Sequence, residues 1–258
     1  MPLNPKENRE RITAIMLEVF EVPAFYLASR PALSLYGSGR TSGLVVQSGS
    51  SMTHVVPVRE GYILPHAVMQ SHLGGQDVTK CLAHALQQRD LAVDFATLDD
   101  AKISFCFVRL DADSERCDVE QAFQSPDGQV IRLSTERYAS PEVLFQPNLV
   151  GKDCSAIHEL AYDAVFRCDV NQRKNLCDFI LLAGGNTLFT GLEERLCREL
   201  RSLGSPFQRI KVSAPADRKF SSWVGGSILS RLSTFQSMWI SDLEYEESTP
   251  AIVHRKCF

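Results

Sequence analysis

The run DFILLA at residues 178–183 leads directly into Gly184 and Gly185, and a helical segment, LEERLCREL, opens at Gly191. An apolar strand, a glycine turn and a helix in that order belong to folds in which strands and helices alternate. The same order presents backbone N–H groups to a phosphate, although a glycine pair after a strand is more often a plain structural turn.

The rest of the chain continues the α/β alternation. Asn4, Pro5 and Glu7 form a helix-start signature, with Asn4 as the cap and Pro5 in the first helical position. Ile12, Ile15, Met16, Val19 and Phe20 then recur at helical spacing and make one apolar face that must pack on something. The β-branched runs SGLVVQSG and MTHVVPVREGYIL flank a Ser/Gly turn at 48–51 and predict a hairpin leading into a third short strand. Helices are predicted over about 76–88, 99–109, 141–145 and 154–166, with a further strand at 209–214. The polar stretch 111–134, with its PDG turn at 126–128, predicts a small hairpin.

Composition sets limits on function. With 258 residues, 44% hydrophobic and 22% charged, the chain can bury a substantial core in one or two domains. A net charge of -4 argues against a nucleic-acid binder working through a broad basic surface. The polar start MPLNPKENRERITAIM lacks a signal-peptide pattern, and the longest apolar runs are too short to span a bilayer, so an intracellular protein without a membrane partner is expected. Cysteines at 81, 106, 117, 154, 168, 177, 197 and 257 form no CxxC pair, which predicts reduced, mostly buried thiols and no metal.

The block at 221–258, SSWVGGSILSRLSTFQSMWISDLEYEESTPAIVHRKCF, closely resembles the C-terminus of conventional actin. Further segments resemble actin in actin order: NRERITAIMLEVFEVPAFYLASRPALSLYGSGRTSG, VPVREGYILPHAVM, SPDGQVIRLSTERYASPEVLFQPNLVG and IHELAYDAVFRCDVNQRKNL. The resemblance implies the α/β fold shared by actin, hexokinase and the heat-shock chaperone ATPases, with the second lobe largely complete and the first truncated. It divides the chain into an outer-domain remnant at 1–37 and 221–258, an inner core at 38–73 and 153–220, and a small outer subdomain at 74–152. In that frame the first phosphate loop and the DNase-binding loop have no counterpart, and two shorter deletions fall between Val93 and Ala101 and between Asp111 and Pro126.

Where the resemblance places actin's second phosphate loop, this chain reads VVQSGSSMTH. Gln47 stands for an Asp that organises the metal's water shell, and Ser50 and Ser51 replace an Asp and a Gly, beside retained Ser48 and Gly49. Arg30 replaces the Gln that orients the attacking water; a guanidinium cannot accept a hydrogen bond as that amide does. His54 matches the second water-orienting residue and reads as a structural remnant without its partners. Gly184, Gly185, Lys102, Lys219 and Phe189 correspond to nucleotide contacts, whereas Ile103 replaces the Glu that binds the ribose hydroxyls. ATPase activity is expected to be lost, with no cofactor required and weak ATP or ADP with Mg²⁺ as the most that remains.

Partner surfaces are better preserved in the resemblance. Tyr36, Gly39, Thr41, Leu229, Leu232, Thr234 and Met238 match actin's target-binding cleft, which takes amphipathic helices; Leu229 and Leu232 would equally suit a core stripe. Arg231 departs from a small polar residue there. Glu60, Tyr62, His66, Arg173, Lys256 and Phe258 match a profilin-type surface. Lys152 places a charge at the tip of the plug segment 149–152, which together with the absent DNase-binding loop argues against conventional filaments. In actin, the faces of Ile12 to Phe20 and of Trp223, Val224 and Ile228 pack on strands without counterpart here, which predicts exposed apolar surface. The resemblance leaves three readings: a cytoplasmic or nuclear cytoskeletal scaffold with actin-binding proteins or actin itself as partners, an ATP-dependent switch, or a degenerate paralogue.

Overall fold

The computed structural model describes residues 2–110, 119–124, 128, 130–204 and 209–257. Helix α1 (Lys6–Ala14) widens into a π turn at Ile15–Val19 and is followed by strand β1 (Ala24–Phe25) and helix α2 (Arg30–Gly37). Strands β2 (Gly43–Ser48), β3 (Thr53–Arg59), β4 (Tyr62–Ile63) and β5 (Met69–Ser71) precede helices α3 (Gly75–Gln87) and α4 (Phe95–Phe105). Next come β6 (Gln121–Gln124), β7 (Val130–Leu133), α5 (Glu136–Ala139), and 3-10 turns at Pro141–Leu144 and Pro147–Val150. The second half contains α6 (Ile157–Phe166), α7 (Val170–Cys177), β8 (Ile180–Ala183), α8 (Leu192–Ser202) and β9 (Val212–Ser213). It closes with α9 (Ser221–Ser230), β10 (Ile240–Ser241), α10 (Asp242–Ser248) and α11 (Val253–Lys256).

The main sheet is mixed, in the order β4-β3-β2-β8-β9, with β5 also on β3. Strand β2 runs antiparallel to β3 and parallel to β8, and every one of its residues is buried. Its alternation decides the two cores. Leu44 and Val46 face Val55, Val78, Leu82 and the α6 residues Leu160 and Ala164, whereas Val45 faces Val56, Val58, Leu181 and the α2 residues Ala32 and Leu35. A third cluster joins Leu17 to Ile240, Tyr245, Ile252, Val253 and Cys257.

Helices α2 and α9 pack almost backbone to backbone, because Gly225 carries no side chain: a Cβ there would stand 1.7 Å from the Leu33 carbonyl oxygen. No helix of the described residues is long and apolar enough to cross a membrane. Among the described residues the cysteines are free, with 106, 168, 177 and 257 buried; Cys117 lies outside them.

Several predicted features move. Helix α1 starts after Pro5, which takes the cap position, and the Asn4 side-chain carbonyl oxygen accepts from the Asn8 side chain at 3.4 Å. Its buried positions are Thr13, whose hydroxyl donates to the Arg9 carbonyl at 2.9 Å, and Leu17, while Ile12, Ile15, Val19 and Phe20, like Trp223 and Ile228, are exposed, in line with the expected exposed apolar surface. Helix α4 begins at Phe95 rather than 99, since the Asp94 carboxylate accepts from the Thr97 N–H at 2.9 Å, and it stops at Phe105 where Cys106 turns extended. The segment at 141–145 is a 3-10 turn, α6 begins at Ile157, and the last strand shortens to Val212–Ser213. Strands β6 and β7 pair antiparallel as the predicted hairpin; Pro126 and Asp127 of its turn lie outside the described residues.

Lys152 is not an unpaired charge at a tip. Its ammonium lies 2.9 Å from the buried Asp77 carboxylate and donates to the His72 carbonyl, so the argument against filaments that rested on Lys152 falls away.

Candidate functional site

Where β8 ends, Gly184 adopts φ +92°, a region side chains rarely enter, and a Cβ there would stand 2.2 Å from the Ser48 carbonyl oxygen. Glycine therefore lets the β8 turn close onto the end of β2. Asn186 in the following 3-10 turn donates from Nδ2 to Ser48 Oγ at 2.8 Å. Thr53 Oγ1 donates to the Leu73 carbonyl at 2.7 Å, so Ser48 donates its own proton to Thr53 across 2.7 Å. This buried chain locks the two turns together. Asn186 Oδ1 has no hydrogen-bond partner among the described residues and would lie 3.2 Å from a Cβ on Gly75.

A cavity of about 390 Å³ opens above this floor. Gly49, Ser50, Lys102, Gly185, Phe189 and Lys219 line it, and Ser48 and Gly184 lie directly beneath, so the structure brings the eight nucleotide-contact positions together. Sequence reasoning missed Gly75, Asp99, Asn186, Leu188 and Thr190. The signal for the first was a second glycine pair, Gly74–Gly75, at the start of α3; Asn186 follows the pair at β8 and carries no motif of its own.

The two ends of the cavity differ in chemistry. Ile103, Leu188 and Phe189 offer apolar faces, with Asn186 Oδ1 and Lys219 beside them, which fits a flat heterocycle and its sugar. Toward the β2–β3 turn the donors are already used. The Gly75 and Gln76 N–H groups donate to the carbonyls of Gly49 and Ser50 at 3.0 and 2.7 Å, and the Gly74 N–H donates to Asp77 at 3.0 Å. Buried Lys102 donates to the Gly75 carbonyl at 3.2 Å and Thr79 at 3.0 Å and is ion-paired to Asp99, so its charge is compensated. Among the described residues no group of three or more His, Cys, Asp or Glu is placed to hold a metal ion. These residues fit a nucleoside and do not fit a metal-bound triphosphate.

The two altered positions, Gln47 and Arg30, both lie near retained His54. Gln47 and His54 are directly opposed in the β2–β3 ladder and both are buried, and Arg30 opens α2. Burial holds His54 below its ordinary value, and the charges of Arg30 and His72 push the same way; its Nε2 has no hydrogen-bond partner among the described residues. A neutral amide opposite a neutral imidazole cannot supply negative charge to a cation.

The partner positions divide. Leu229 is 8% exposed and belongs to the interior, whereas Leu232 is 50% exposed and Thr41, Gly39 and Thr234 are also at the surface. Tyr36 and Met238 are half-buried. Glu60, Tyr62 and His66 are exposed along β4 and its flanks. Arg173 is half-buried and tied by hydrogen bonds to the carbonyls of Cys168 at 3.0 Å and Phe166 at 2.7 Å, and half-buried Lys256 is tied to Glu244 at 2.7 Å. These two cations have structural work before any partner arrives. Phe258 lies outside the described residues.

A mixed sheet flanked by helices, with two glycine turns facing one cleft, defines an α/β protein of the actin-like fold. The chain belongs to the actin family: the family model described as Actin matches residues 1–96 and 91–258.

Proposed function

We propose that this actin-family protein is a cytoskeletal or scaffolding component that does not hydrolyse ATP and binds partners through its target-type cleft. The observation that carries the partner half is the exposure of Leu232 at 50% while Leu229, on the preceding turn, is buried at 8%. An apolar side chain held at the surface beside Thr234 and half-buried Met238 suits the apolar face of an amphipathic helix. The loss of hydrolysis follows from neutral Gln47, from Arg30 and from the consumed amides of α3. On this reading profilin-type proteins dock at Glu60, Tyr62 and His66, and the protein resides in the cytoplasm with the cytoskeleton.

The nucleoside-sized cavity favours a second reading, an ATP-binding switch of the same fold. Titrating a fluorescent amphipathic helical peptide separates the two. Saturable binding that is unaffected by ATP and lost in Leu232→Asp supports the scaffold; binding that requires ATP supports the switch.

A further inference from the structure

Arg231 departs from the family pattern in a place where the fold makes a charge conspicuous, on the exposed turn that ends α9. It also completes the tripeptide Arg231-Leu232-Ser233, an arginine two residues before a hydroxyl. Serine/threonine kinases of the arginine-directed class read such a tripeptide through charge-assisted bonds from acidic groups to the guanidinium.

The pattern Arg-x-Ser/Thr occurs four times in the chain, ending at Thr13, Ser42, Ser134 and Ser233. The fold separates them. Thr13 is fully buried. Ser42 accepts a hydrogen bond from the Glu60 N–H at 2.8 Å, which ties it into the turn between β3 and β4. Ser134 follows Leu133, which is fully buried on β7, its N–H donates to Glu136 at 2.8 Å, and its arginine, Arg132, faces Glu120 at 3.7 Å. At the fourth site Arg231, Leu232, Ser233 and Thr234 are all exposed.

The contrast between the second pair is informative because Arg-Leu-Ser-Thr is spelled identically at 132–135 and 231–234. One copy is built into a strand over the core, the other lies on a short surface helix, Ser233–Ser237. That helix is held at its far side by Phe235, whose ring meets Tyr26 at 5.3 Å and Trp239 at 5.7 Å. Opening one exposed turn in front of such an anchor costs little compared with extracting β7 from its ladder.

We propose that Ser233 is a phosphorylation site for an arginine-directed serine/threonine kinase. The kinase would join Ser233 Oγ to the γ-phosphorus of ATP, the γ-phosphoanhydride bond would break to release ADP, and the hydroxyl proton would pass to the kinase's base. The product places a dianionic group between exposed Leu232 and Thr234, where Arg231 can pair with it. Resting on the cleft reading above, this would repel the apolar face of a docking helix.

The test treats the native purified chain with a purified arginine-directed kinase and Mg-ATP and maps phosphate by mass spectrometry. Stoichiometric label on Ser233, its absence in Ser233→Ala, and about tenfold slower labelling in Arg231→Ser, the loss expected from one charge-assisted contact, support the site. Both substituted side chains are exposed, and a circular dichroism spectrum confirms folding. Label on Ser134 or Thr234 with Ser233 unmodified, or an unchanged rate in Arg231→Ser, overturns it. Peptide titration of the phosphorylated protein then reads the cleft separately, because stoichiometric phosphate without an effect on a bound helix removes the regulatory consequence and leaves the modification standing.

Discussion

The Lys152 ammonium lies 2.9 Å from the Asp77 carboxylate, which is itself buried at the start of α3 and accepts from the Gly74 N–H. One ion pair therefore fastens the turn Pro147–Val150 to the helix whose first residues border the cavity.

Removing Asp77 should cost more than removing Lys152. Asp77→Ala frees the Gly74 N–H and leaves Lys152 without its counter-ion, whereas Lys152→Met leaves a carboxylate that keeps one hydrogen bond. Urea denaturation should give a loss of about 2–4 kcal/mol for Asp77→Ala and about 1–2 kcal/mol for Lys152→Met. Equal losses would mean that the pair is merely a surface contact.

Gly184→Ala should destabilise by about 1–3 kcal/mol, because the added methyl meets the Ser48 carbonyl in a backbone region unfavourable to side chains. Thermal unfolding measures this, and Gly185→Ala, where the nearest neighbour would be Lys219 Cγ at 3.9 Å, is the matched control. The control should lie close to the unsubstituted protein.

Acid should loosen the C-terminal cluster in a defined window. Hydrogen bonds from Lys256 and then from the Ser241 N–H hold Glu244 down to about 2, below its ordinary 4.5. A depressed carboxyl stabilises the fold fully above 4.5 and loses that contribution as pH falls through about 2. The melting temperature of the protein minus that of Glu244→Gln should be constant above 4.5, shrink as pH falls from 4.5 to about 2, and be smaller in high salt. A difference that persists below 2 would show that the pairing contributes nothing to it.

The centre of this fold was legible because β2, β3 and β8 carry β-branched and aliphatic runs bounded by Ser and Gly, which leave few alternatives to strands. The periphery was less so. The exposure of Ile12, Ile15, Val19 and Phe20 was legible through the resemblance, but the face that packs, through Thr13 and Leu17, was not, because Ile252 and Val253 come from the far end of the chain. Periodicity cannot name a partner element. Lys152 looked like a stray charge for the same reason, since Asp77 is distant in sequence. In the candidate site, glycines and Lys102 were visible through resemblance, while Asn186 Oδ1, unpartnered among the described residues, and the consumed amides of Gly75 and Gln76 are consequences of tertiary closure.

On the proposed function, this cavity lacks a working phosphate and metal half. Titration of the purified chain with a fluorescent ATP analogue and Mg²⁺ tests it most directly. No saturable binding is expected at micromolar nucleotide; a dissociation constant in the micromolar range or tighter would mean that the phosphate and metal half works.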